Sequence, residues 1–124
     1  MHFDSSQPWY HGSPYELRIL REGSTITQRR ELACIFSHKP TIVSTNDDGS
    51  IKHNGTEPGY LYIIAEDVSE DDVVPHPRTT MGPGDEWLTT RDLRLRFVGA
   101  VEVTAEELLS TEELEDLRRH IASQ

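Results

Sequence analysis

The chain has 124 residues, a length that suggests one domain around one core. Its hydrophobic content of 35% supports a lean core, and no run approaches the ~20 apolar residues of a membrane span. With 12 basic against 22 acidic residues the net charge is −10, a surface that repels phosphate backbones and argues against sequence-independent nucleic-acid binding.

The start, Met1-His2-Phe3-Asp4, lacks the basic and apolar regions of a secretory signal, and the single Cys34 cannot form an internal disulfide. Both features give a cytoplasmic expectation. Residues 7–12 read as a strand that runs into a turn at Gly12-Ser13-Pro14. Tyr15 to Leu20 then reads as a short helical turn with Leu17 and Leu20 facing in, ended by Gly23. Thr27 to Leu32 reads as a second short helix with Thr27 as its N-cap. Ala33-Cys34-Ile35-Phe36-Ser37 reads as a small apolar strand, and the polar stretch from Thr45 to Gly59 as a loop. Tyr60 to Ala65 is continuous and β-prone, the clearest strand signal in the chain.

Residues 66–85 follow as a long irregular stretch, of a kind that is usually functional or mobile. Glu86 to Thr90 and Leu93 to Val103 read as two strands or one bent strand, because Leu93, Leu95 and Phe97 alternate with Arg94 and Arg96. The end is helical. Thr104-x-x-Glu107 and Ser110-x-x-Glu113 have the form of capping boxes, and Leu114, Leu117 and Ile121 form one apolar stripe. Acids lead this helix and Arg118, Arg119 and His120 close it, as the helix dipole favours. It is expected to cap the sheet.

Two stretches hold the groups best suited to chemistry. Trp9-Tyr10-His11-Gly12-Ser13 supplies an imidazole, which both donates and accepts when neutral, beside a glycine whose backbone a ligand can approach. Gly84-Asp85-Glu86-Trp87-Leu88-Thr89 supplies a carboxylate at the opening of a strand. Arg18, Arg21, Arg29 and Arg30 cluster in the first third, while acids concentrate in 66–72 and 102–116; this asymmetry suits either an anionic ligand near the N-terminal half or ordinary surface charge. The histidines and the cysteine show no metal-ligand spacing, so no metal site is expected, and the acid run of 66–72 lacks the spacing and glycine of an EF-hand loop. No P-loop, G-x-S-x-G or G-x-G-x-x-G occurs.

Trp9 to Ser13 followed by Leu17 to Leu20 resembles the first motif of the ADP-ribosyltransferase superfamily, both in its poly(ADP-ribose) polymerase branch and in the small rifampin ADP-ribosyltransferases. Ile35-Phe36-Ser37 resembles the second motif, and Asp85 to Thr90 with Leu93 to Val103 the third, in which a catalytic Glu opens a strand. The resemblance spans residues 9 to 103. It implies an α+β fold, a small split or sandwiched, mostly antiparallel sheet with short helices, in a single domain over 1–124. It also implies NAD as co-substrate and cleavage of the nicotinamide–ribose bond through an oxocarbenium-like transition state.

On this resemblance Glu86 is the candidate catalytic carboxylate, with Asp72 second, since the rifampin branch places its acid just after the central strand. His11 would bond a ribose hydroxyl of the adenosine half, Gly12 would clamp the nicotinamide amide by its backbone, and Ser13 would either add a hydroxyl contact or brace the turn. Phe36 would face the base, with Ser37 as its polar neighbour. Two departures stand out: Phe36 lies where many members stack a Tyr, and Gly84 lies where arginine-modifying toxins carry an extra Glu. The expected activity is transfer of ADP-ribose from NAD to an unidentified small-molecule or macromolecular acceptor. The alternative is a catalytically inactive module on the same fold, binding an ADP-ribose-like ligand or a protein partner.

Overall fold

A computed structural model describes residues 3–45, 48, 50–77 and 84–122. In chain order its elements are β1 (Tyr10–Ser13), β2 (Ile19–Leu20), β3 (Thr25–Ile26), α1 (Arg30–Phe36), β4 (Val43–Thr45), β5 (Ile51–His53), β6 (Gly59–Ile64), β7 (Val73–Pro75), β8 (Trp87–Thr89), β9 (Leu93–Val101) and α2 (Thr111–Ala122). Short 3₁₀ turns cover Glu70–Asp72 and Ala105–Glu107. The class is α+β, with mostly antiparallel, curled sheets and short helices.

One sheet runs β1-β6-β9-β2, a second β3-β8-β7, and β4-β5 form a hairpin, with every strand pair antiparallel. A bridge between Tyr10 and Thr27, with bonds of 2.7 and 3.0 Å, joins the edge of the first sheet to the end of β3. The main core lies where the sheets meet. Leu20, Ile64 and Leu93 enter it from the first, Ile26, Val73 and Trp87 from the second, and Trp9 from the lead into β1. Phe3, Trp9 and Trp87 pack edge to face there, with centroids 5.0 to 5.9 Å apart.

The strand expected over 60–65 is present as β6, and those expected after residue 86 as β8 and β9. Phe97 departs from the alternation on β9. It rests against the rings of Tyr60 and Tyr62 yet is 56% exposed, beside a bulge where Val98 is the extra residue. Residues 66–85 are more ordered than expected, holding a 3₁₀ turn and β7; positions 78–83 lie outside the described residues. The Thr45–Gly59 loop contains a hairpin, since β4 and β5 pair Val43 with His53 and Thr45 with Ile51.

Both capping boxes form. Thr104 N–H donates to Glu107 Oε1 at 2.5 Å, and Ser110 and Glu113 exchange bonds of 3.1 Å. The second box leads α2, the helix expected to cap the sheet; none of residues 111–119 is buried, and Lys52 Nζ on β5 reaches Glu113 Oε1 at 3.3 Å.

Two helix expectations are corrected. Residues 15–18 form no helix, because the buried Tyr62 side chain satisfies their backbone: Leu17 N–H donates to its hydroxyl at 2.8 Å, and the hydroxyl donates to Tyr15 C=O at 3.1 Å. Leu20 sits in the core and Leu17 packs against it, but from β2 and the loop before it. The second helix starts at Arg30 and absorbs the expected strand 33–37. Its periodicity explains this: Leu32, Ala33 and Ile35 are buried while Arg30 and Glu31 are exposed. Thr27 is not its N-cap; its Oγ1 accepts Arg29 N–H at 3.1 Å in the turn before the helix. Gly23, expected to end a helix, instead turns the chain from β2 to β3 with φ of +84°.

Candidate functional site

A cleft of about 240 Å³ opens between β1, β3, α1 and the residue leading into β8. Tyr10, His11, Gly12, Thr25, Thr27, Ala33, Phe36 and Glu86 border it. Four of the residues predicted from sequence, His11, Gly12, Phe36 and Glu86, therefore share one hollow despite their separation along the chain.

His11 is half-buried on β1, with Nδ1 2.7 Å from Thr25 C=O. A carbonyl only accepts, so Nδ1 carries the proton and Nε2 is the ring's acceptor. Burial lowers the pKa of this imidazole, partly offset by the Thr25 bond, which keeps it neutral at neutral pH. No hydrogen bond engages Nε2 among the described residues.

Gly12 sits on β1 opposite Leu61. Trp9 C=O accepts from Ile64 N–H toward β6, whereas Tyr10 bonds Thr27 on the opposite side. By the alternation of an antiparallel ladder, the Gly12 N–H and C=O point the same way as those of Tyr10, to the edge that borders the cleft. A second demand also fixes glycine here: a Cβ would lie 1.7 Å from the Ala33 carbonyl oxygen. α1 thus rests directly on β1.

Phe36 reaches the cleft as the last residue of α1, not from a strand. Glu86 comes from the residue before β8, and its side chain is 10% exposed. Its carbonyl accepts His76 N–H at 3.1 Å, and His76 Nε2 lies 4.0 Å from its Oε2. Asp85 beside it meets Arg29 Nη1 at 3.2 Å, which links this segment to the start of α1.

The other predicted residues lie elsewhere. Ser13 is buried and its Oγ accepts Tyr15 N–H at 3.1 Å, bracing the turn after β1. Ser37 is fully buried at the C-cap of α1, where its hydroxyl donates to Cys34 C=O. Asp72 is absent from the cleft wall. It bonds Arg91 Nε at 2.8 Å and Ser69 N–H at 2.8 Å. The Arg91 bond, helped by Ser69, lowers its pKa to about 2. Arg91 also pairs with Glu66 at 2.7 Å, so part of the acid run over 66–72 is an ion network.

Tyr10, Thr25, Thr27 and Ala33 line the cleft and are not among the residues expected from sequence. The available signal was the alternation of Thr25-Ile26-Thr27, polar on both sides of one core residue.

A larger hollow of about 400 Å³ opens on the opposite side of α1, bordered by Glu31, Cys34 and Glu107 among others. It holds none of the predicted residues, and burial raises the Cys34 thiol, which disfavours the reactive thiolate. Among the described residues no cluster of His, Cys, Asp or Glu could hold a metal ion, and no helix is long and apolar enough to cross a membrane.

Comparison with protein-family models, with curated proteins and with solved structures finds no match to this chain.

Proposed function

We propose that this chain is an NAD-dependent ADP-ribosyltransferase, which moves ADP-ribose from NAD to an acceptor and releases nicotinamide. The observation that carries the reading is the shared cleft: His11, Gly12, Phe36 and Glu86 come from distant segments and border one hollow. Their chemistry fits a dinucleotide. A neutral imidazole with an open acceptor suits a ribose hydroxyl. The outward peptide edge of Gly12 suits a carboxamide, and the Phe36 ring suits a stacked pyridinium. At about 240 Å³ the cleft is smaller than the ~300–1,000 Å³ of drug-sized pockets, in keeping with one half of the ligand inside and the rest across the rim.

Breaking the glycosidic bond develops positive charge on the ribose. Glu86, whose side chain is mostly buried, would accept a bond from the 2′-hydroxyl and stabilise that charge, a role worth ~3 kcal/mol for one well-placed group. Glu86 is preferred to Asp72 because it borders the cleft, whereas both Asp72 oxygens are already engaged by Arg91 and Ser69.

The test is nicotinamide release from NAD. Wild type is expected to release it, and Glu86→Gln to do so ~10²-fold more slowly or worse. The second reading, a module without catalysis, draws on the absence of a tyrosine where Phe36 stands. It prevails if NAD or ADP-ribose raises the melting temperature without turnover. The absence of both turnover and a thermal shift would overturn the NAD reading altogether.

A further inference from the structure

Two buried imidazoles close the far end of α1. His38 follows the Ser37 cap and His53 ends β5; both are fully buried, and their rings stack with centroids 5.6 Å apart and planes 10° from parallel. Hydrogen bonds fix their protons. Glu57 C=O lies 2.7 Å from His38 Nδ1, so Nδ1 carries an N–H and Nε2 is bare. That Nε2 is buried and has no hydrogen-bond partner among the described residues. In His53 the assignment reverses. Gly55 N–H donates to Nδ1 at 2.9 Å, and Nε2–H faces Glu107 Oε2 at 2.9 Å.

This arrangement gives an added proton no good place. On His38 Nε2 it would create a buried N–H without an acceptor and a cation against the neighbouring ring. On His53 Nδ1 it would confront the Gly55 N–H. The charged groups nearby act on other atoms. Glu107 from the 105–107 turn faces His53 Nε2 and favours a cation there, whereas Lys52 on β5 pairs with Glu113 on α2. Lys39 beside His38 is exposed, and Glu57 meets His38 through its main chain. Among the described residues no carboxylate is bonded to His38.

We propose that His38 is an acid-sensitive latch, which closes the junction of α1, β5 and residues 55–57 and 105–109 when neutral and opens it when protonated. The main-chain bonds of the junction run through the same two residues. Glu57 N–H donates to His38 C=O at 3.3 Å, and Leu109 N–H to His53 C=O at 2.8 Å. Since α1 carries Ala33 and Phe36 into the cleft wall, opening loosens that wall. The latch does not depend on the proposed reaction and can fail or stand separately from it.

An opened, solvated imidazole takes up a proton near pH 6.5, as histidines do. Opening is therefore rare above that pH, and its equilibrium constant rises about tenfold per pH unit below it for one proton gained. Hydrogen exchange read by NMR between pH 5 and 7.5, corrected for the intrinsic pH dependence of exchange, tests this. The amides of His38, Glu57 and Leu109 are expected to show that rise, whereas Ile64 N–H, bonded to Trp9 on the far side of the fold, does not. His38→Asn keeps a side-chain N–H for Glu57 C=O and is expected to abolish the rise; His38→Phe is the second variant, keeping the stacked ring without the titrating nitrogen. Three results would overturn the latch: no rise in wild type, an equal rise at Ile64, or a full rise retained in both variants.

Discussion

Gly12 gives the sharpest test of how the cleft is built. A Cβ placed there meets Ala33 O at 1.7 Å, Ala33 C at 2.8 Å and Ser37 N at 2.9 Å. All three are main-chain atoms of α1 or its cap, so no rotamer change relieves the contact. Restoring an ordinary separation of 3.4 Å or so from that oxygen means moving α1 roughly 1.5–2 Å away from β1. Overpacking of a tight site costs ~1–3 kcal/mol when side chains can adjust. Here the obstruction is backbone, and the displaced helix also holds the buried Leu32, Ala33 and Ile35, so Gly12→Ala should cost about 3 kcal/mol. For a chain of this size that is a fall in melting temperature of about 10 °C, measurable by circular dichroism or scanning calorimetry. Adding Ala33→Gly should not rescue it, because the blocking atom is the carbonyl oxygen. A Gly12→Ala protein that melts within ~2 °C of wild type would refute the direct seating of α1 on β1. The same variant bears on the proposed role of Gly12 toward a ligand, since lost binding with normal stability would separate that role from packing.

Other substitutions probe the remaining parts. His11→Asn can keep a donor to Thr25 C=O while removing the ring acceptor, and should weaken NAD binding about tenfold in calorimetry with little change in melting temperature. Trp87→Ala removes a side chain that is 2% exposed and packed edge to face on Trp9 and Phe3; it should lose ~3–5 kcal/mol in urea unfolding. Asp72 governs the acid limb of stability. The unfolded chain protonates it near 3.8 and the folded chain only near about 2, so its contribution is present above pH 4 and fades as pH falls through that interval. Urea midpoints measured from pH 5 to 2.5 should decline less steeply in Asp72→Asn than in wild type, and parallel declines would show that the Arg91 pair matters little.

Elements legible in the sequence are those whose signal is local. β6 is a continuous β-prone run, and the capping boxes before residues 105 and 111 are satisfied within a few residues of themselves. The misread elements depend on distant partners. Whether residues 15–18 form a helix is decided by the Tyr62 hydroxyl, which reaches them from 45 residues away. The α1 segment reads as a helix followed by a strand because Ala33 to Phe36 is a short apolar run, which periodicity alone does not assign. Its N-cap, Arg29, makes no side-chain cap bond, while Thr27 carries the expected residue type two positions early. At the cleft, His11, Gly12, Phe36 and Glu86 are legible as residue types in order, and Tyr10, Thr25, Thr27 and Ala33 are not. Ser37 illustrates the limit: once the 33–37 segment is helical, its last residue turns into the interior as a cap instead of facing a ligand.

The backbone beneath Glu86 sets this acid apart from those of the acid-rich stretch as the candidate carboxylate of the proposed reaction. The residue before it, Asp85, is bonded to Arg29 at the start of α1, so it is tied to the opposite wall. The residue after it, Trp87, is locked into the core, with its indole N–H donating to Gly84 C=O at 3.0 Å. Strand alternation then sends Glu86 away from the core and toward the hollow. Its own carbonyl is held by His76 N–H across to β7. A carboxylate so carried has little freedom to lose when charge develops nearby, which is the condition for preorganised stabilisation. Asp72 meets the opposite condition. One of its oxygens accepts from Ser69 and closes the 3₁₀ turn over 70–72, and the other holds Arg91; turning either toward a sugar would open its own turn and release an arginine already shared with Glu66.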